Sequence, residues 1–280
     1  MIATVKSRAD HLALLLISVA GLIVFVAPLQ SGTASFQPTA LFAGLLAIAA
    51  LVVLGIAVQT HRLAPRMLAV LAALVAIDAT VRLVLVVGLL GFSPIFFLII
   101  VTGCVMGPGF GFAMGALTLL LSAVLTAGLG PWLPYQMLAS AWVGMGAGYV
   151  GLLTGTQRGR AAIVGLAVYG LLSGFAFGLL LDLWEWPALL GAASSPISWA
   201  PNLPLPALLR RFGAFYLATS FVYDAFRAAG NLLLLALLGP AVIAALRRFR
   251  LRFLVDWSSP GKLRDDVRSP AGRGRRAGTD

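Results

Sequence analysis

Charge is what this sequence has least of: charged residues make up 10% of its 280 positions, against 60% hydrophobic. A soluble domain carries about a quarter charged residues, and so few charges cannot clothe a globule of this length in polar surface. Cysteine is nearly absent too. The single Cys104 excludes an internal disulfide and a cysteine-based metal cluster, and reads as a small buried hydrophobe. The two histidines, His11 and His61, are far apart in sequence and sit near span ends. There is no HExxH, no GxSxG, no paired-carboxylate metal motif and no Walker loop. The chain is therefore not expected to be an enzyme, to hold a metal or cofactor, or to hydrolyse ATP. The glycine-rich piece 107–115 lacks the strand–turn–helix context of nucleotide binding and reads as helix packing.

What is present is a series of apolar runs, several longer than the roughly 18 residues needed to cross a bilayer. They read as helices near 11–29, 40–59, 67–90, 94–106, 109–128, 133–154, 161–182 and 213–246. The fold class is all-α, a polytopic membrane protein of about eight spans. Basic residues fall on alternate sides: Lys6 and Arg8 before the first run, Arg62 and Arg66 after the second, Arg158 and Arg160 after the sixth, and Arg247, Arg248, Arg250 and Arg252 after the eighth. The intervening loops 30–39, 90–93 and 129–132 carry no charge; only 183–212 adds Arg210 and Arg211. The positive-inside rule then puts both termini in the cytoplasm. The net charge of +11 belongs to this pattern, since ten of the twenty Lys and Arg residues follow Leu246. It marks topology, with contact to anionic lipid, and not a nucleic-acid partner.

Residues 1–62 divide off as two N-terminal transmembrane helices, 63–253 as a six-helix core, and 254–280 as a basic, disordered cytoplasmic tail. The run 11–29 exceeds the usual core of a secretory signal, about 15 residues, and reads as a retained helix. The run 94–106 reaches only about 20 Å before the Gly107-Pro108-Gly109 turn sends the chain back. Such a hairpin is tolerated inside a membrane only when packed within protein. In the third run, Ala69, Ala72, Ala73 and Ala76 make two overlapping small-xxx-small steps in its cytoplasmic half. They serve internal packing or a docking partner.

Ionisable groups inside a span are costly and mark function by default. Counted from Arg66, Asp78 lies about 18 Å up, near mid-bilayer, with Arg82 one turn higher on the same face. Counted back from Arg247, Asn231 lies about 24 Å up, with Arg227 and Asp224 higher still. Asp182 closes the seventh run and Gln136 opens the sixth, both on the outer side. Trp132, Tyr135, Trp184, Trp186 and Trp199 gather there as well, as an interfacial belt or as stacking groups of a lid formed by the 183–212 loop. Polar groups in the outer half over a bare inner half suit an outward-facing pocket. Local ion pairing of Asp78 with Arg82 and of Asp224 with Arg227, and a helix-to-helix bond from Asn231, are the plainer alternatives. A further alternative is a self-sufficient, ion-coupled secondary transporter using Asp78 and Arg82.

Four segments taken together resemble a known family: Asp78-Ala79-Thr80-Val81-Arg82 at the end of an alanine-rich helix; the hairpin 103–115 followed by Gly130-Pro131-Trp132-Leu133-Pro134-Tyr135-Gln136-Met137; the run 178–187 containing Leu181-Asp182-Leu183-Trp184-Glu185-Trp186; and Asp224-Ala225-Phe226-Arg227-Ala228-Ala229-Gly230-Asn231. From about 66 to 253 the chain is similar to the substrate-binding S component of bacterial energy-coupling factor (ECF) vitamin transporters. The resemblance implies a six-helix core that captures a vitamin-like solute from outside the bacterial inner membrane, here preceded by two extra helices. It implies partnership with a membrane-embedded T component and two cytoplasmic ATPase subunits, docking through Ala69, Ala72, Ala73 and Ala76. Substrate would be held by Asp78, Arg82, Trp132, Tyr135, Gln136, Asp182, Trp184, Arg227 and Asn231. A cobalamin-like corrinoid is the first expectation for it, with thiamine, riboflavin and other heterocycles open.

Overall fold

A computed structural model describes residues 2–31, 44, 65–85, 94–154, 160–190 and 195–254. Among these described residues the regular structure is helical, with no strand. The helices are α1 (Ile2–Ser31), α2 (Pro65–Leu85), α3 (Ile95–Met106), α4 (Pro108–Leu125), α5 (Leu133–Thr154), α6 (Arg160–Leu190), α7 (Leu205–Thr219), α8 (Phe221–Leu237) and α9 (Gly239–Leu254). Nearly all of the expected span at 40–59, most of the loop at 30–39, Arg158 and the tail beyond Leu254 lie outside the described residues.

The centre of the molecule is the α3–α4 hairpin against α5. Gly107 turns the chain at φ 106°, a left-handed value open to glycine, and Pro108 then starts α4, where a missing N–H is harmless. The short α3 is buried inside protein, with Ile99, Ile100 and Val101 wholly enclosed. Small residues bring the backbones together. The carbonyl of Gly144 on α5 sits where a Cβ on Gly103 or Gly111 would go, and the carbonyl of Gly111 sits where one on Gly144 would go. One turn on in each direction, Gly115 abuts the Ser140 backbone and Gly148 abuts Pro108. In a bilayer this close approach replaces the hydrophobic drive that water supplies elsewhere.

The remaining elements surround that centre. α2 lies on α4, and α8 lies along α6. The N-terminal α1 runs beside α5 and α6, and its Val24 and Phe25 bury in the same apolar core as the central hairpin. Leucines and valines remain on the outside, among them Leu153 at 87% exposed and Leu172 at 62%, as expected where lipid is the solvent. By length and composition α4, α5 and α6 can each cross a membrane, and the bent pair α7–α8 is either a fourth, broken span or a re-entrant loop. α1 and α3 supply shorter apolar helices.

Two expectations are corrected at the C-terminal end. The run 213–246 is not one helix: it breaks at Ser220, where α7 and α8 meet at 66°, and again at Leu238, before Gly239 and Pro240. Thr219 Oγ1 donates to the Phe215 carbonyl at 2.8 Å, a back-bond that loosens a helix locally. Pro240 removes a donor at the second break. The stretch from Asn231 to Arg247 crosses only the second break, where Leu238 keeps helical dihedrals and Val242 N–H still donates to the Leu238 carbonyl at 3.1 Å. Helix α6 does not stop at Asp182 but continues to Leu190, so Trp184 and Trp186 are helical residues and the connection to α7 is much shorter than 183–212. Packing outweighs the loop-like composition there. The Trp186 indole N–H donates to the Ile197 carbonyl at 2.8 Å, and its ring packs on Phe212 and Phe215.

Candidate functional site

The expected site residues fall into three groups. The first lies between α2 and α4. Asp78 faces inward from α2 and is fully buried, as are Thr118 and Ser122, one turn apart on α4. Arg82, one turn beyond Asp78, donates to Ser122 Oγ at 3.2 Å. Asp78 is within electrostatic range of Arg82 and Thr118, yet neither carboxylate oxygen has a hydrogen-bond partner, nor does Thr118 Oγ1. The Thr118 hydroxyl and the Arg82 guanidinium are the protein donors nearest this buried carboxyl.

The second group joins α6, α7 and α8. Gly170, Gly174 and Gly178 recur every fourth residue on α6, and α8 lays its polar side chains along that groove. Asn231 Nδ2 donates to the Gly170 carbonyl at 3.0 Å, and Arg227 donates to the Gly174 carbonyl at 3.3 Å. The carboxylate of Asp224 occupies the space a Cβ on Gly178 would need. Arg227 also pairs with Asp224 and lies over the Phe177 ring, 5.0 Å from its centroid. Asp182 continues the same four-residue series, and its Oδ1 accepts from Ser220 Oγ at 2.9 Å. Tyr216 donates to Asp224 Oδ2 at 3.1 Å. Asp182, Asp224 and Glu185 are thus gathered about Arg227. Two buried acceptors are left over, Asp182 Oδ2 and Asn231 Oδ1.

The third group is aromatic. Tyr135 and Trp184 stack with centroids 4.6 Å apart and planes 11° apart. Both are buried, and the Tyr135 hydroxyl has no partner. Gln136 is half-buried beside them in sequence. Trp132 stands apart, 41% exposed, with its indole donating to the Gly128 carbonyl at 3.2 Å. Trp186 and Trp199 are enclosed with Phe215 in a second apolar cluster, unlike the exposed belt that their sequence positions suggest.

Sequence reading missed Thr118 and Ser122, whose four-residue spacing in an apolar helix was a usable signal, and the Gly170–Gly174–Gly178 series, which ends on Asp182. It also missed Tyr216, Ser220 and Phe25, which no local pattern distinguishes. On the opposite surface of α2, Ala69, Ala72, Ala73 and Ala76 are all exposed. Ala69 and Ala73 line an apolar groove of about 540 Å³ with Val70, Leu74, Ala245, Leu246 and Phe249. Among the described residues no group of three or more His, Cys, Asp or Glu side chains is arranged to hold a metal ion.

A family model described as ECF transporter, substrate-specific component, matches residues 66–239. No curated protein and no solved structure matches the chain.

Proposed function

This chain belongs to the substrate-specific components of ECF transporters, and from that premise we propose that it captures a vitamin-like solute at the extracytoplasmic face of a bacterial inner membrane. The observation that carries the reading is the pair of buried acceptors left without donors, Oδ2 of Asp182 and Oδ1 of Asn231, together with the buried Asp78 carboxyl. Apolar helices do not retain such groups idly. A polar substrate supplies the missing donors, while Trp132 presents an exposed ring, the buried Tyr135–Trp184 pair backs the site, and Arg82, Arg227 and Gln136 orient its acceptors. A cobalamin-like corrinoid, large and ringed by amides, is the first candidate.

Capture alone moves nothing inward. Energy comes from ATP hydrolysed by two cytoplasmic subunits and transmitted by a membrane-embedded T component, against which the α2 stripe of Ala69, Ala72, Ala73 and Ala76 docks. Its exposed, small-residue surface supports this assignment, because small side chains let another helix come close. The test is to purify the chain alone, identify by mass spectrometry any small molecule that travels with it, and measure uptake with and without T and ATPase subunits. Tight binding by the chain alone, with accumulation only when the partners are co-expressed, is expected. A second reading, ion-coupled transport through Asp78 and Arg82, draws on the buried Asp78 carboxyl. Uptake by the chain alone that a protonophore abolishes would establish that one instead.

A further inference from the structure

We propose that the N-terminal helix α1, which lies outside the matched residues 66–239, is a wall of the capture site, and that Phe25 is the positioning residue holding Tyr135 against Trp184. The inference rests on the proposed capture role. Phe25 is fully buried and meets the Tyr135 ring edge-on, with centroids 5.1 Å apart and planes at 77°. Tyr135 in turn lies flat on Trp184. The three rings form one chain of contacts that runs from α1 through α5 to α6, so the first helix touches one expected substrate residue, Tyr135, directly and a second, Trp184, through it.

The register of α1 is set by specific contacts, which an anchor gliding in lipid would not need. Ser18 Oγ accepts from the Trp142 indole N–H at 3.1 Å and donates to the Leu14 carbonyl at 2.7 Å. One turn on, Gly21 admits that same indole: a Cβ there would lie 2.8 Å from Trp142 Cζ2. One turn further, Phe25 packs on both Trp142, at 5.4 Å, and Tyr135. Residues 18, 21 and 25 are spaced as one helical face. Leu29, at the next turn, packs into the cluster of Trp186, Trp199 and Phe215. The opposite face, with Leu16 at 60% and Ile23 at 65% exposed, is left for lipid.

The Tyr135 hydroxyl is buried without a hydrogen bond, so no polar contact fixes the ring. Its position depends on the rings either side. Removing Phe25 opens the space behind Tyr135, and the stack loses the orientation in which it would meet a substrate.

The full-length protein is labelled with 5-fluorotryptophan, and the Trp184 resonance is assigned through Trp184→Phe. The same preparations are titrated with cyanocobalamin by calorimetry. Phe25→Ala is expected to shift the Trp184 line and to weaken binding about tenfold, the change that corresponds to one aromatic pair. Phe25→Leu, which restores most of the bulk, should bind within about threefold of the parent. Ile23→Ala on the lipid face should alter neither signal. An unmoved Trp184 line in Phe25→Ala overturns the proposal, and so does a shifted line with unchanged affinity. Should the parent chain not bind cyanocobalamin, the substrate assignment fails, and the fluorine spectrum still decides whether α1 positions the stack.

Discussion

Asn231 gives its side-chain amide to the Gly170 carbonyl across 3.0 Å while its own carbonyl oxygen stays buried and unpaired. One half of the side chain joins two helices and the other half is an acceptor that no protein donor reaches. Packing and recognition are therefore alternatives only atom by atom, and a side chain can serve both.

Substituting Asn231 separates the two uses. Asn231→Asp keeps an acceptor but loses the donor to Gly170. Asn231→Ala loses both and should destabilise the protein by about 1–2 kcal/mol, with a loss of substrate affinity beyond that of any packing change. Thermal unfolding in detergent, paired with a binding titration, checks this. An Asn231→Ala variant with unaltered affinity would remove Asn231 from the site.

At the central hairpin, Gly111→Ala and Gly144→Ala each drive a methyl group into a neighbouring backbone carbonyl. Overpacking of that kind should cost at least about 1–3 kcal/mol, seen as a lower unfolding temperature or failure to accumulate in the membrane. Gly165→Ala, with open space around it, should be neutral.

Tyr216 reaches across the break at Ser220 to Asp224, and Ser220 ties the same break to Asp182. Tyr216→Phe and Ser220→Ala should each cost about 0.5–1.5 kcal/mol. The double variant should lose more than the sum if the two bonds brace one bend. A double-mutant cycle on thermal unfolding reads the coupling; strict additivity would mean that the bend is held by packing alone.

The stripe on α2 lies away from the buried acceptors. Ala69→Leu and Ala73→Leu, both at exposed positions, should leave binding by the isolated chain unchanged. Uptake in the presence of T and ATPase subunits should fall at least about tenfold, the effect of losing some 1.4 kcal/mol of docking energy. Equal loss of binding and uptake would end the separation of capture from docking.

Much of the fold is legible in the order of residues alone. The span 133–154 coincides with α5, and the Gly107-Pro108-Gly109 turn and enclosed hairpin are present as expected, because glycine, proline and unbroken apolar runs act locally. The broken span after Leu205 is not legible in that way. The break at Leu238 has a local cause in Gly239-Pro240, but Ser220 is not a strong helix breaker, and its bend is completed by Asp182 and Asp224, which approach only after α6 and α8 have packed. The Trp184–Tyr135 stack is hidden for a similar reason: its members are 49 positions apart in the sequence.

Composition and loop charge by themselves decided that this protein has lipid for its solvent, and the particular order of residues over 66–239 decided which family it belongs to. Both are properties of residue type in order along the chain. Which polar atoms are satisfied was decided only by the tertiary structure. Arg82 directs one N–H to Ser122, Asn231 is half used, and Phe25, from outside the family's own residues, backs the aromatic pair. A hydrogen bond or a ring contact depends on a few tenths of an ångström between segments far apart in sequence, and only packing of the helices sets those distances.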